Sequence, residues 1–135
     1  LVGSKDFIAR ARRNRKMVGG GMRQAGIIAA AGIVALETMI DRLAEDHANA
    51  KYFAENLADL PGISLDPARV KTNIVFYELT NGVTAEEMQV RLEKRGVLIF
   101  ATGQSRMRAV THYGITRADI ENTLDVFAKV LRENK

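Results

Sequence analysis

The sequence predicts an α+β fold in which a helical front half is followed by a β-α-β-β-α layer. Helical patterns fill the chain up to residue 60, whereas after Pro67 the pattern changes to strand, helix, strand, strand and helix. The chain has 135 residues, of which 47% are hydrophobic and 27% are charged, which is the size and composition of one globular domain.

Two helices and a glycine bend open the chain. Ser4 can cap a first helix that runs to about Lys16 and ends by the three glycines at 19–21, which carry a high entropic cost inside a helix. A second helix, predicted over residues 22–39, is apolar on every face. We therefore expect it to be buried on most sides, against the first helix or a second copy of the chain.

A third helix and the α+β layer follow. The helix over residues 41–60 places His47 on its inner face, as a packing residue, and Pro61 ends it. The remaining predicted elements are a strand over 72–79, a helix with a capping box over 84–94, strands over 97–100 and 107–112, and a capped amphipathic helix from Thr116.

Charge and composition exclude several classes of protein. Residues 1–25 carry seven basic side chains against Asp6 alone, so we expect an anionic group near this end.

The absence of cysteine removes thiolate chemistry, and the two histidines, His47 and His112, lie too far apart to suggest a metal site. The longest uncharged stretch has 13 residues, too few to span a bilayer, so we expect a soluble, cytoplasmic protein without a membrane partner.

The glycine bend is the first candidate site. Lys16 and Arg23 flank the glycines at 19–21, and the amides at the start of the next helix point toward the bend. Such an arrangement binds anions, because glycine allows close backbone approach and the helix end carries partial positive charge. A flexible connection with solvated cations is an equally good interpretation of the composition alone.

The second candidate lies on the strand predicted over 107–112. Arg106 and Arg108 are two residues apart and therefore share one face, where a rigidly held arginine can bind a carboxylate through two hydrogen bonds. Two charges on one strand face more often form only its solvent side. His112 near the strand end is more often a packing residue than a catalyst.

These segments resemble the C-terminal part of the low-specificity threonine aldolases. The resemblance covers nearly the whole chain and is most specific in residues 15–32. The matching segments are Leu1-Val2-Gly3-Ser4, Arg15-Lys16-Met17-Val18-Gly19-Gly20-Gly21-Met22-Arg23-Gln24, Glu45-Asp46-His47-Ala48-Asn49, Thr72-Asn73 and Arg108-Ala109-Val110-Thr111-His112. It implies a pyridoxal-phosphate enzyme of the aspartate-aminotransferase-like fold, fold type I, which cleaves threonine or allo-threonine to glycine and an aldehyde.

The resemblance also implies roles for individual residues. Arg108 corresponds to the arginine that binds the substrate carboxylate, Lys16 to a second substrate-binding residue, and Arg23 to a cofactor-binding residue. Arg106 remains a competitor for the carboxylate role. The lysine that binds the cofactor covalently is expected upstream of residue 1, so no catalytic residue is assigned here and this chain alone is expected to be inactive.

The same resemblance implies the domain organisation. Residues 1–40 are expected to be linker and interface helices leading from a large cofactor domain, and residues 41–135 to be the small α+β domain of a dimeric or tetrameric enzyme. One alternative is the small domain of another enzyme of this fold, such as a β-eliminating lyase. A less favoured alternative is a nucleic-acid-binding module using the arginines of the first helix, which lacks any accompanying recognition motif.

Overall fold

A computed structural model describes residues 1–133 of the chain, and Asn134 and Lys135 lie outside the described residues. The chain divides into two compact units, Leu1–Ile40 and Asp41–Lys135, which are described one at a time. The first unit is helical, and the second contains a sheet with helices on one face.

The first unit consists of α1, Lys5–Met17, and α2, Gly26–Thr38. The Ser4 side chain accepts a hydrogen bond of 3.3 Å from the Phe7 amide, which confirms the predicted cap. Beyond α1 the chain turns at Gly19, whose φ of +83° is a conformation that glycine adopts without strain.

Two expectations for α2 are wrong. The helix begins at Gly26 instead of residue 22, because residues 23–25 form a turn in which Gln24 has a φ of +48°. None of its residues is buried in the single chain, so the expected cover by the first helix is absent, whereas burial against a second copy of the chain stays a prediction. An apolar pattern predicts which residues avoid water, but the covering surface need not come from the same compact unit.

The second unit is built on a four-stranded antiparallel sheet with the strand order β1-β2-β4-β3. Its elements are α3, Leu43–Ala58; β1, Ile63–Ser64; β2, Ile74–Leu79; α4, Ala85–Glu93; β3, Phe100–Ala101; β4, Arg106–Val110; and α5, Arg117–Arg132. A short 3₁₀ turn over Pro67–Arg69 joins β1 to β2. Thr84 forms the predicted capping box of α4, and Thr116, predicted as the cap of α5, also forms a capping box.

Side chains on β2 and β4 alternate between a buried and an exposed face. Val75 and Tyr77 on β2 and Met107 and Ala109 on β4 face the core, where α3, α4 and α5 cover the sheet. The core includes Phe127, whose ring packs edge-to-face against Phe53 at 5.9 Å and Tyr77 at 6.0 Å between centroids. Burial raises the pKa of the Tyr77 hydroxyl, which keeps it neutral.

Three details of the second unit differ from the sequence predictions. His47 is exposed, because α3 turns Asp46 and Asn49 toward the interior in its place. β3 spans Phe100–Ala101 and overlaps the predicted 97–100 strand only at Phe100, while Val97 and Ile99 are buried without pairing to another strand. β1 was not predicted, because two residues are too few to display a period of two.

Replacing Phe127 with alanine should destabilise the protein by about 3 to 5 kcal/mol, because the removed ring leaves a cavity between Phe53 and Tyr77. Urea denaturation followed by circular dichroism measures the loss. Phe100→Ala is the matched control, since that ring is 60% exposed and its removal should cost less than about 1 kcal/mol. Equal losses for the two variants would contradict this description of the core.

The capping box of α5 should make stability depend on pH. Hydrogen bonds from the Thr116 side chain and backbone lower the pKa of Asp119, so the ionised carboxylate stabilises the fold above about pH 4 and this contribution is lost as the pH falls through the lowered value. The urea midpoint of Asp119→Asn should lie below that of the wild type at pH 7, and the difference should shrink below pH 4. Asp125→Asn, an exposed position on the same helix, should show no such convergence.

Candidate functional site

The uncovered face of the sheet carries two arginines among aromatic side chains. In the β2–β4 register Phe76 lies opposite Arg108 and Glu78 lies opposite Arg106, while β3 places Phe100 on the other side of Arg108. These residues alternate with core residues and therefore all project to the open face. We call this group the open-face cluster.

Arg108 is the charged member of the cluster for which residues 1–133 provide no ion-pair partner. Its side chain is half-buried, and its Nε atom is enclosed but has no hydrogen-bond acceptor among the described residues. The guanidinium carbon lies 6.0 Å from the centroid of the Phe100 ring, which is at the outer limit of a cation–π contact. Since buried polar groups are normally satisfied, the unpartnered Nε is unusual, and it shows that the described residues supply no acceptor to this atom of Arg108.

Arg106 differs because two other members of the open-face cluster contact its guanidinium. Its Nε lies 3.8 Å from Glu78 Oε1, and its guanidinium carbon lies 4.5 Å from the centroid of the Phe76 ring. Glu78 is in turn fixed by Ser105, whose hydroxyl donates a hydrogen bond of 2.7 Å to Oε2. Of the two candidate carboxylate binders, Arg106 therefore has an internal carboxylate and Arg108 does not.

A buried polar network holds the end of β4. The Thr111 hydroxyl donates to the Asp46 carbonyl at 2.7 Å, and the Thr111 carbonyl accepts a hydrogen bond of 2.7 Å from the Asn73 side chain. The Asn49 side chain donates to the Ile115 carbonyl at 3.0 Å. These bonds tie α3, β2 and the loop after β4 together, so the strand that carries Arg108 is fixed at its end.

Sequence reasoning missed an ion pair beside this network. The Arg42 guanidinium donates to both carboxylate oxygens of Asp46, and it lies over the Tyr113 ring with 5.1 Å to the centroid. The hydrogen bond to Asp46 is the main reason why the pKa of Arg42 is raised. The spacing of four residues between a basic and an acidic side chain was the available signal.

The glycine bend lies in the first unit. The Gly20 amide donates to the Arg15 carbonyl at 2.8 Å, which folds the chain back on the end of α1. A Cβ atom on Gly21 would lie 3.2 Å from Lys16 Nζ, so the lysine ammonium rests directly against the bend. No side chain caps the start of α2, and Arg23 is exposed beside it. The glycine bend therefore combines exposed backbone with two exposed cationic side chains, and anion sites share both features.

The structure brings only some of the predicted site residues together. Arg106 and Arg108 share the open face of the sheet, whereas Lys16 and Arg23 belong to the first unit, and their meeting with Arg108 in one site stays a prediction. His112 is exposed, and its Nδ1 lies 2.9 Å from the Tyr113 carbonyl oxygen. Within residues 1–133 no three metal-binding side chains come together, and no helix there is long and apolar enough to cross a membrane.

An open cavity of about 580 Å³ adjoins the open-face cluster. Phe76, Glu78 and Arg106 form one wall, and the segment from Ser64 to Val70 forms the other, while Arg108 does not line it. A second cavity of about 430 Å³ lies where residues 97–99 diverge from the end of β4, with His112 at its edge. The first cavity offers space for a small molecule next to the paired Glu78 and Arg106.

Comparison with solved structures identifies the fold class. A cystine C-S lyase in complex with cysteine persulfide aligns with a TM-score of 0.63 at 17% identity, over 77% of this chain and 28% of that one. The 8-amino-7-oxononanoate synthase of Francisella tularensis aligns with a TM-score of 0.59 at 22% identity, over 78% and 32%. The chain thus shares its fold with enzymes of fold type I, which confirms the predicted α+β class.

Sequence comparison then identifies the family. Residues 1–80 match the model named beta-eliminating lyase, and the chain belongs to that family. The low-specificity L-threonine aldolase 1 of Arabidopsis thaliana is 41% identical over 97% of this chain and 37% of its own length. The corresponding aldolase of Escherichia coli K12 is 43% identical over 89% and 34%. The resemblance is confirmed, and the chain spans about a third of these relatives.

The glycine bend should not tolerate a side chain at position 20. A Cβ on Gly20 would approach the Arg15 carbonyl oxygen to 3.0 Å and its Cγ to 2.8 Å, so Gly20→Ala should weaken the hydrogen bond between these residues. Amide exchange measured by NMR should show lower protection at residue 20. Gly32→Ala, where nothing lies within 4 Å of the added carbon, should keep that protection and strengthen α2 by about 0.5 to 1 kcal/mol. Unchanged protection in Gly20→Ala would refute this close packing.

Proposed function

We propose that the full-length protein containing this chain is a pyridoxal-phosphate-dependent threonine aldolase, which cleaves threonine or allo-threonine to glycine and an aldehyde. The observation that carries the proposal is Arg108, a guanidinium held on a strand with an enclosed Nε and no acceptor among the described residues. The names of the relatives at 41% and 43% identity support the choice of reaction.

In this proposal Arg108 orients the substrate through its carboxylate. A guanidinium binds a carboxylate through two parallel hydrogen bonds, which fixes both the position and the plane of the substrate's carboxylate. This restricts rotation at Cα, so that the Cα–Cβ bond is the one presented for cleavage. The contribution is positional, since an arginine stays protonated throughout and transfers no proton.

The glycine bend fits the phosphorylated cofactor. Pyridoxal phosphate supplies an electron sink for the charge that develops at Cα. Lys16, resting against Gly21, and the exposed Arg23 supply positive charge at a backbone that a side chain at Gly20 or Gly21 would obstruct. We assign Arg23 to the cofactor phosphate and Lys16 to the substrate side of the bend, where its ammonium complements a carboxylate or phosphate oxygen.

The remaining parts of the reaction belong to other residues of the full-length protein. Cleavage releases the proton of the β-hydroxyl group, and its acceptor and the lysine that anchors the cofactor are assigned outside this chain.

We propose that residues 1–40 form linker and interface helices and that residues 41–135 form the small domain. The exposed apolar surface of α2 supports a homo-oligomer, dimer or tetramer, and we place the enzyme in the cytoplasm with an amino acid as its substrate.

The family name supports a second candidate, a β-eliminating lyase acting on cysteine, tyrosine or tryptophan. The two activities differ in the bond that breaks: an aldolase cleaves Cα–Cβ, whereas a lyase expels a group from Cβ. Assaying the full-length protein with allo-threonine and with tyrosine separates them, because the aldolase releases glycine and the lyase releases pyruvate. We favour the aldolase, since the two relatives with 41% and 43% sequence identity are named low-specificity L-threonine aldolases.

Removing the guanidinium at position 108 should weaken substrate use strongly. In the full-length enzyme Arg108→Gln should lower kcat/KM for threonine by about 10- to 100-fold, the range for loss of a charged hydrogen bond. Arg106→Gln should have a smaller effect because Glu78 already engages that side chain. Arg132→Gln, exposed on α5, is the control and should match the wild type. An Arg108→Gln enzyme with unchanged kcat/KM would overturn the assignment.

A further inference from the structure

We propose that Glu78 is a specificity-determining residue that restricts the site to amino acids with a single carboxylate, by engaging Arg106 and leaving Arg108 alone to bind the substrate. This inference rests on the proposed function and deepens it. The observation that carries it is the unequal pairing of two arginines that project from the same strand face.

Arg106 and Arg108 project from the same strand onto the same face of the sheet. Arg106 and Arg108 lie two residues apart on β4, which separates their Cα atoms by about 7 Å along the open face. Two unpaired arginines at this distance could bind the two carboxylates of a short dicarboxylate at once, one on each guanidinium. A site of that kind would prefer aspartate and its β-hydroxy derivative over alanine and threonine.

The Glu78 side chain removes this possibility in two ways. It places a carboxylate 3.8 Å from Arg106 Nε, so the second guanidinium already has an anionic partner. It also places a negative charge on the open face beside Arg106, at the edge of the cavity that both side chains line, and this charge repels a second carboxylate that approaches Arg106. A neutral substrate side chain is not affected by this repulsion.

Two contacts fix Glu78 and Arg106 in these roles. The Ser105 hydroxyl donates to Glu78 Oε2 at 2.7 Å, which leaves Oε1 directed toward the arginine. The Phe76 ring supports the Arg106 guanidinium at 4.5 Å on the side of the β2 strand. Ser105 also lies in the loop before β4, and its carbonyl accepts a hydrogen bond of 2.9 Å from the Leu79 amide, which couples the loop to β2.

The test compares L-aspartate with L-alanine as competitive inhibitors of threonine cleavage by the full-length, cofactor-loaded enzyme. Glu78→Gln keeps an acceptor for the Ser105 hydroxyl but removes the charge. It should lower the inhibition constant of aspartate about fivefold relative to that of alanine, the effect of freeing one partly exposed ion pair. The gain should shrink at high ionic strength.

Two further variants make the result specific. Glu78→Gln combined with Arg106→Gln should show a smaller gain for aspartate than Glu78→Gln alone, because the second guanidinium is then absent and only the repulsion has been removed. Glu121→Gln, which removes an exposed acidic side chain on α5, should leave the ratio of the two constants unchanged. Equal shifts for aspartate and alanine, or a gain that is undiminished in the double variant, would overturn the inference.

The same experiment separates this inference from the proposed function. If the wild type cleaves threonine and Arg108→Gln impairs it while Glu78→Gln leaves the ratio unaltered, the specificity role fails and the aldolase assignment stands. If the wild type does not cleave threonine, the proposed function fails and the inference is overturned with it.

Discussion

The antiparallel pairing of β2 with β4 is the constraint on which the rest of the second unit depends. Because side chains on a strand alternate, this one register directs Tyr77 and Met107 into the core and Arg108 onto the open face. A slip by one residue would bury the arginine and expose the core residues. The buried network around Thr111 holds the end of the same strand, so the hydrophobic core and the candidate site share one support.

The register also decides how charge is distributed on the open face. It places Glu78 opposite Arg106 and Phe76 opposite Arg108, so only one of two chemically identical side chains receives a carboxylate. Because of this register, the Arg106 guanidinium pairs with Glu78, whereas the described residues provide no carboxylate for Arg108. The proposed substrate binding at Arg108 and the proposed discrimination through Glu78 both rest on this one pairing.

The first unit follows a different principle. Its glycine bend is determined locally, by the Gly20 amide bonding back to Arg15 and by Lys16 lying against Gly21. Its second helix, α2, is apolar on all sides yet exposes every residue. Burial of apolar surface is non-directional, so the pattern requires a cover without specifying whose surface provides it. The sequence therefore predicts burial of α2 without naming the surface that covers it, and the first helix of the same unit does not provide that cover.

The sequence by itself determined the helix starts at Ser4, Thr84 and Thr116, the α+β class, the glycine bend and the pair of arginines, because these depend on residues three or four apart or on a simple period. The tertiary structure decided which arginine is free, that Asp46 instead of His47 turns inward, and where β1 and β3 pair. Those outcomes depend on contacts between residues far apart in the chain. No local pattern encodes such contacts, because each partner's position is set only when the sheet and its helices pack together.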